Sequence, residues 1–217
     1  MTTVRSLVRK SVPFSTTLYE QGEHRRRLLG SSRRLREIKQ SSAPIWLDLG
    51  GGGSPGTGGW LTVDLERGCD LYWDLRRGLP FDEGSVARIY SSHLFEHLPY
   101  RDGQALMAEC LRVLQPGGSF SICVPNARIY LDAYLEGRAL PQEYFGWAPA
   151  YNRSTAIDAI NYIAYMDGHH KYMFDEENLV HRLGAAGFVR VSSREFDPET
   201  DNPQRDYESL YALGFKP

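Results

Sequence analysis

The chain has 217 residues, a formal net charge of −2 and a hydrophobic content of 41%. This length suffices for one domain with a sizeable core. No apolar run reaches the roughly 18 residues that a membrane-spanning helix needs, so the composition predicts a globular protein and excludes a membrane-spanning one.

The first 42 residues form a basic segment that we expect to be a helical extension. Residues 1–40 hold ten Lys and Arg against three Asp and Glu, a local charge of +7, which leaves −9 for the remainder. The basic run has no interleaved aromatic residues on which bases could stack. We therefore interpret it as a solvated helix face whose leucines and isoleucine pack on the domain, and not as a nucleic-acid site.

The cellular compartment is suggested by what the sequence lacks. The N-terminus has basic residues but no apolar core of a secretory signal. Three cysteines, Cys69, Cys110 and Cys123, show no metal-binding or redox spacing, so we expect core thiols in a reducing compartment. These features predict a cytoplasmic protein.

A glycine-rich turn between two predicted strands is the most informative feature. The strands are residues 45–49 and 60–65, and Asp64 lies near the end of the second. Glycines let a backbone approach a ligand closely, and an acid at this position can accept hydrogen bonds from both ribose hydroxyls. Asp64 follows Gly52 by only twelve residues, which leaves no room for a crossover helix or a diphosphate cradle. The pattern predicts a nucleoside without phosphates, and S-adenosylmethionine is the obvious candidate.

The rest of the chain alternates between strands and helices. Further strands are predicted at residues 70–74, 87–91, 119–124, 188–196 and 208–215, and helices at residues 104–114 and 176–186. Pro116-Gly117-Gly118 is expected to stop the first of these helices, and Gly187 to cap the second. The alternation predicts a mostly parallel sheet with crossover helices.

Residues 126–174 break this alternation and are too long for an ordinary connection. They follow a predicted strand at the carboxyl edge of the sheet, where open α/β folds bind ligands. We interpret them as a lid over the acceptor, because aromatic faces suit the CH-rich faces of sugars or planar rings. A helical subdomain with its own core, or a dimer contact, is the alternative. The segment contains ten aromatic residues: Tyr130, Tyr134, Tyr144, Phe145, Trp147, Tyr151, Tyr162, Tyr165, Tyr172 and Phe174.

Several motifs, in this order and at these spacings, resemble those of class I S-adenosylmethionine-dependent methyltransferases. They are LDLGGGG, VDLE, DLYWDLRRGLPF, SSHLFEHL, LMAECLRVLQPGGSFSICVPN and HKYMFDEENLVHRLGAAGF, covering roughly residues 45–125 and 169–215. The short first crossover is most similar to small bacterial methyltransferases found with glycan-synthesis enzymes. Sugar O-methyltransferases of mycobacterial polymethylated mannose polysaccharide synthesis are a plausible neighbour.

The resemblance implies a fold and a division of the chain. The fold is an α/β, Rossmann-like, doubly wound, seven-stranded sheet that is mostly parallel, with an antiparallel last strand. Residues 1–217 would form a single domain. Within it, residues 43–125 would be the cofactor-binding half, residues 126–174 the lid insertion, and residues 175–217 the C-terminal helix and strands.

The resemblance also implies cofactor contacts, which fall on the turn and on strand ends: Asp48, Gly50, Gly52, Asp64, Asp74, Leu75, Ser92 and His93. The two glycines would face the methionine part, and Asp48 would support their loop or the cofactor ammonium. Asp64 would take the ribose hydroxyls. Asp74, together with the next backbone unit, would face adenine, with Asp70 as a competitor. The two residues that end the fourth strand would lie near the methionine moiety.

The motif H-x-x-E-H places His93, Glu96 and His97 on one face if a helix starts there. Imidazole and carboxylate groups in that arrangement can bind a divalent ion. Some methyltransferases carry a similar E-x-x-E-H metal site, and here a histidine replaces the first glutamate. That change disfavours Mg²⁺, which prefers oxygen ligands, relative to Mn²⁺ or Zn²⁺. The alternative is that these residues make structural hydrogen bonds and bind no metal.

His169 and His170 are the candidate catalytic residues. They lie between the aromatic segment and the late helix, from where they could fold back over the end of the fourth strand. A neutral imidazole near pH 7 suits general-base work. His170 is the first choice, either as the base or as a fourth metal ligand. The alternative is a surface pair without a role.

These observations predict an O-methyltransferase that acts on a hydroxyl of a sugar or oligosaccharide, with S-adenosylmethionine as cofactor and Mg²⁺ or Mn²⁺ as a candidate second cofactor. The alternatives are a methyltransferase for a phenol or quinone precursor, an RNA ribose methyltransferase, and a cofactor-binding protein without catalysis. Fold alone does not choose among acceptors. The expected partner is the small-molecule or oligosaccharide acceptor, and a homodimer is left open.

Overall fold

The computed structural model describes residues 30–147, 150, 152 and 154–217. Its seven strands are β1 (Trp46–Leu49), β2 (Trp60–Asp64), β3 (Leu71–Tyr72), β4 (Val86–Ser92), β5 (Leu114–Pro125), β6 (Val189–Ser193) and β7 (Ser209–Phe215). They form one sheet in the order β3-β2-β1-β4-β5-β7-β6. β7 runs antiparallel to both of its neighbours, and every other pairing is parallel. The predicted Rossmann-like sheet with an antiparallel last strand is confirmed.

The described helices are α1 (residues 30–40), α2 (Tyr100–Val113), α3 (Ala127–Leu135), α4 (Ile157–Tyr165) and α5 (Glu176–Ala185). α2 begins four residues earlier than predicted, directly after Pro99. It ends at Val113, and β5 begins at the next residue, so Pro116-Gly117-Gly118 lies inside the strand and is not the helix stop. Gly187 does follow α5, with a positive φ of 103°.

Two strands, β3 and β6, are shorter than predicted by at least two residues at their C-terminal ends. β3 stops short of Asp74, whose side chain accepts from the Arg76 amide and begins a short 3-10 turn. β6 ends at Ser193, although the Arg194 amide still donates to the Tyr211 carbonyl of β7 at 3.1 Å, and the Arg194 guanidinium binds Asp201 on the loop before β7.

The core lies against one face of the sheet. Leu47, Leu49 and Val63 are fully buried, and in β1 the two leucines alternate with the half-buried Trp46 and Asp48. α2 and α5 contribute apolar residues at helical spacing to the same core, among them Met107 and Leu183. This packing fixes the carboxyl ends of β1, β2 and β4 at a common edge, which is where the glycine turn emerges.

Residues 126–174 form a small helical unit with a core of its own. Tyr130, Phe145 and Tyr162 pack there with the apolar side chains around them, and the Tyr130 and Tyr162 rings stack at 6.3 Å. Of the described aromatic residues, four belong to this core (Tyr130, Tyr144, Phe145 and Tyr162), two pack with the main core (Tyr172 and Phe174), and three are exposed (Tyr134, Trp147 and Tyr165). Trp147 is 38% exposed and remains available to a ligand. Tyr151 lies outside the described residues.

Three further features concern the basic extension, the cysteines and the length of the helices. In the basic extension, α1 packs Leu35 and Ile38 on the core, while residues 1–29 lie outside the described residues. Cys110 and Cys123 are buried free thiols, and Cys69 is partly exposed. Within the described part of the chain, no helix has the length and apolar character needed to cross a membrane.

Candidate active site

The glycine turn after β1 is shaped by backbone angles that favour glycine. Gly50 and Gly52 have φ of 77° and 78°. The Gly50 amide donates to the Val63 carbonyl at 3.0 Å. A Cβ on Gly50 would lie 3.0 Å from the Leu94 side chain, whereas a Cβ on Gly52 would meet open space. The turn is therefore packed on the chain that follows β4 and open on its other side.

Asp64 ends β2 and holds this turn in place. Its Oδ2 accepts from the Gly52 amide at 2.9 Å, and its Oδ1 accepts from the Leu65 and Glu66 amides at 2.6 and 3.0 Å. A carboxylate offers about four lone-pair sites, so Oδ2 can accept another donor. The role toward ribose hydroxyls stays a prediction.

Asp48 lies under the turn, with its carboxylate against the Gly51 backbone. A Cβ on Gly51 would come within 2.3 Å of the Asp48 Oδ2. Burial, with a smaller contribution from the charge of Asp64, raises the pKa of Asp48 from 3.8 to about 6. A positive group, such as the ammonium of a methionine moiety, would relieve this strain on the charged form.

Replacing Asp48 by Asn should stabilise the free protein at pH 8, by on the order of 1–2 kcal/mol, because the amide avoids burying a charge. A raised pKa in the folded state means that the folded form binds more protons than the unfolded form between about pH 4 and 6. The wild-type stability therefore falls as the pH rises through this window. Urea unfolding should show the advantage of the variant at pH 8 and a much smaller one at pH 4.5. An equal difference in unfolding free energy between variant and wild type at both pH values would contradict the raised pKa of Asp48.

The two acids proposed for adenine have other partners. Asp70 braces the turn, because its Oδ2 accepts from the Gly56 and Thr62 amides at 2.7 and 3.0 Å. Asp74 forms a two-pronged ion pair with Arg76, at 2.9 and 2.8 Å, and this hydrogen bonding lowers its pKa. Leu75 beside it is buried in the core. An adenine at this position would meet an Asp74 that already binds Arg76.

His93 follows Ser92, the last residue of β4, and adopts a left-handed backbone with φ of 49°. Its amide donates to the Cys123 carbonyl at 2.9 Å, and its Nε2 lies 2.9 Å from the Ser209 Oγ. Burial lowers the pKa of His93 to about 3, so the ring is neutral. The hydrogen bond to Ser209 turns this imidazole toward β7.

Glu96 lies in the 3-10 turn Phe95–His97 and is the most deeply buried acid of the described residues, with 2% exposure. Burial raises its pKa to about 8. Its Oε2 has no hydrogen-bond partner. The Glu96 carbonyl accepts from the amides of Lys171 and Tyr172 at 2.7 and 3.2 Å, which brings the segment before α5 back over the end of β4.

His97 and His170 meet beside Glu96. The Nδ1 of His97 lies 3.0 Å from the His169 carbonyl, and the Nδ1 of His170 lies 2.8 Å from the Ile163 carbonyl. A carbonyl only accepts, so each Nδ1 carries the proton and each Nε2 is left with a lone pair. Burial lowers the pKa of both histidines, that of His170 to about 4.

The structure thus brings together a set slightly different from the predicted metal ligands. Ligand atoms of Glu96, His97 and His170 lie within 4.8 Å of one another, and His93 is outside this group. Phe95–His97 is a 3-10 turn and not the start of an α-helix, and the His93 Nδ1 still lies 3.5 Å from the Glu96 Oε1. His169 also stays outside the group, with its ring 5.8 Å from the Trp147 ring and its carbonyl supporting His97.

A cavity of about 480 Å³ opens onto these side chains. Trp147 and Tyr162 line it from the aromatic segment. The loop before β7 adds polar side chains that sequence reasoning missed: Asn202, Gln204, Arg205, Tyr207 and Glu208. No motif marks this loop, and only the fold shows that it borders the site. The volume falls in the range of small-ligand sites.

Comparison with known proteins adds a domain match and a fold match. A family model described as a methyltransferase domain matches residues 73–122, from just after β3 into β5. No curated protein matches the sequence significantly. Among solved structures, the chain is similar to the S-adenosylmethionine-dependent methyltransferase SibL in its apo form. The TM-score is 0.50 and the identity 15%, over 95% of this chain and 60% of that chain.

Other similar structures have slightly lower scores. One is a SAM-dependent methyltransferase from Archaeoglobus fulgidus, with a TM-score of 0.49 and 17% identity over 88% of this chain and 94% of that chain. Another is a SAM-dependent methyltransferase, possible histamine N-methyltransferase, from Thermotoga maritima, with a TM-score of 0.47 and 14% identity over 93% and 96% of the two chains. At such identities only the fold is compared. The family model matches residues 73–122 of the 217, and the solved structures share the fold of the chain.

Proposed function

We propose that the chain transfers the methyl group of S-adenosylmethionine to a hydroxyl of a sugar or oligosaccharide. The observation that carries the proposal is the composition of the cavity beside the end of β4. It combines aromatic faces, polar side chains and neutral imidazoles around a buried carboxyl group. Such a lining suits a neutral acceptor with many hydroxyls better than a flat apolar ring.

The cofactor fits the edge formed by β1, β2 and β4. Asp64 would take the ribose hydroxyls, and Gly50 and Gly52 would lie along the methionine part. Ser92 ends β4 and His93 follows it, so a cofactor on the turn would present its sulfonium near the cavity that His93 lines. The contact between Gly50 and Leu94 keeps turn and cavity in a fixed relation.

The acceptor would lie between the aromatic segment and the loop before β7. The Trp147 ring can cover the CH face of a sugar, and its exposed fraction leaves room for that contact. Asn202, Gln204 and Arg205 can donate to sugar oxygens from the opposite wall. In this arrangement, Trp147 would be the residue of the predicted lid that contacts the acceptor.

Methyl transfer breaks the bond between sulfur and the methyl carbon, forms a bond from the acceptor oxygen to that carbon, and releases the hydroxyl proton. The protein must orient the oxygen in line with the sulfonium and help it lose the proton. His170 can receive the proton at its Nε2, since its Nδ1 is held by the Ile163 carbonyl. Its lowered pKa makes it a weak base, so a divalent cation at the same cluster is the second way to activate the hydroxyl.

Labelled methyl transfer tests the proposal. The protein is incubated with S-adenosylmethionine carrying a labelled methyl group and a panel of mono- and oligosaccharides, phenols and short RNAs, with and without chelator. We expect label on a saccharide, as an ether at one hydroxyl. Label on phenols or RNA alone, or on no acceptor, would overturn the sugar assignment.

A further inference from the structure

We propose that Glu96, His97 and His170 form a binding site for one divalent transition-metal ion, with Zn²⁺ as the best match. The ligand atoms would be a Glu96 carboxylate oxygen and the Nε2 atoms of both histidines. The inference deepens the proposed function by naming the cation of the same site. It rests on the geometry of these three residues, and the proposed function enters only in what the ion would do.

The first argument is that two imidazoles and a buried carboxyl group meet at one place with unused hydrogen-bonding capacity. Each Nε2 carries a lone pair, because each Nδ1 donates to a backbone carbonyl. Glu96 Oε1 lies 3.7 Å from the Nε2 of His97, and Oε2 is buried without a partner. Buried polar atoms are normally satisfied, and one ligand atom from each of the three residues lies within 4.8 Å of the other two. A cation satisfies all three groups at once.

The second argument is that both imidazoles are oriented as metal ligands usually are. A ligating histidine almost always donates its other ring nitrogen to a carbonyl or carboxylate, which fixes the tautomer and the ring. Here the two carbonyls belong to Ile163 at the end of α4 and His169 after it. The rings of His97 and His170 meet edge to face at 5.0 Å. The two imidazole rings come from separate parts of the chain, so their relative orientation is not a consequence of helical spacing.

The third argument concerns the open side of the cluster. Glu96, His97 and His170 all line the 480 Å³ cavity, so a fourth coordination position would face the proposed acceptor. Three protein ligands with one open position are typical of catalytic zinc sites, which include sets of two histidines and one glutamate. A hydroxyl bound there would lose its proton more readily. His170 would then be a ligand and not the base.

The choice of ion follows from the ligands. Two nitrogen donors and one oxygen donor suit Zn²⁺, and Mn²⁺ less strongly, by the usual order of affinities. Mg²⁺ prefers oxygen ligands and retains several waters, so it should bind poorly here. The Nδ1 of His93 lies 3.5 Å from the Glu96 Oε1, but His93 is not among the residues whose ligand atoms all lie within 4.8 Å of one another.

Calorimetric titration of the chelator-stripped full-length protein with Zn²⁺ tests the site, in the absence of cofactor and acceptor. We expect one equivalent to bind, and Mg²⁺ to bind far more weakly. His170→Asn should weaken Zn²⁺ binding by at least about 100-fold, since loss of a supporting residue alone reduces affinity 10- to 100-fold. His93→Asn should change the Zn²⁺ affinity by less than about threefold. Asparagine tolerates the left-handed backbone at this position.

His181→Asn is the matched control for adventitious binding, because His181 is exposed on α5. Retained S-adenosylmethionine affinity shows that His170→Asn is folded. No bound equivalent, or a loss with His93→Asn that His170→Asn does not show, would overturn the site. The titration is separate from methyl transfer. Zn²⁺ bound without any methylated saccharide would refute the proposed function alone, and methylation without Zn²⁺ binding would refute this site alone.

Discussion

Asp64→Ala is expected to weaken S-adenosylmethionine binding by at least about 100-fold, measured by calorimetry. Asp64 is the proposed acceptor for both ribose hydroxyls, and hydrogen bonds to a charged group contribute about 1.5–3 kcal/mol each. The substitution also removes the acceptor for three backbone amides, those of Gly52, Leu65 and Glu66. The turn would lose its anchor together with the ribose contact.

Two variants separate the contact from a general effect of charge. Glu66→Ala removes an exposed carboxylate of the same charge two residues away and should leave the affinity within about threefold. Asp64→Asn keeps one acceptor oxygen and should lose less affinity than Asp64→Ala. If Asp64→Ala binds the cofactor like the wild type, the cofactor does not lie on this turn.

His170→Asn is expected to reduce kcat by about 10²- to 10⁴-fold, while the affinity for S-adenosylmethionine stays within about threefold. His170 is 3% exposed, faces the cavity and has no contact with the glycine turn among its recorded hydrogen bonds. Its loss removes either a proton acceptor or a ligand for a cation, and both act on the acceptor hydroxyl and not on the cofactor.

His181→Asn on α5 serves again as the control and should retain full turnover. Single-turnover rates with saturating cofactor distinguish the chemical step from acceptor binding. A rise in acceptor KM with an unchanged rate would make His170 a binding residue. Unchanged turnover would remove it from the site altogether.

The fold could be read from the sequence because each level of pattern agreed with the next. The apolar run before Gly50, the acid at Asp64 and the alternation of strands and helices all indicate one parallel sheet. The main boundary errors have local causes. Pro99 lets α2 begin early, and Asp74 begins a 3-10 turn where a strand was expected to continue.

The glycine turn was predictable because its residues are close in sequence, whereas the set of residues that line the cavity was not. The metal set was predicted from helical spacing, but His93 takes a left-handed backbone and Phe95–His97 forms a 3-10 turn. His170 reaches the cluster because the Glu96 carbonyl binds the two amides that follow His170. Contacts of this kind leave no periodic pattern in the sequence, and neither does the loop before β7 that carries Arg205.

A crystal structure of the protein with S-adenosylmethionine tests the central claim most directly, since it needs no knowledge of the acceptor. The claim is that the glycine turn and the cavity form one site. We predict that the ribose hydroxyls hydrogen-bond to Asp64 and that the sulfonium methyl points into the cavity lined by Glu96, His97 and His170. A cofactor bound away from the turn, or a methyl group that faces away from this cavity, would contradict the account.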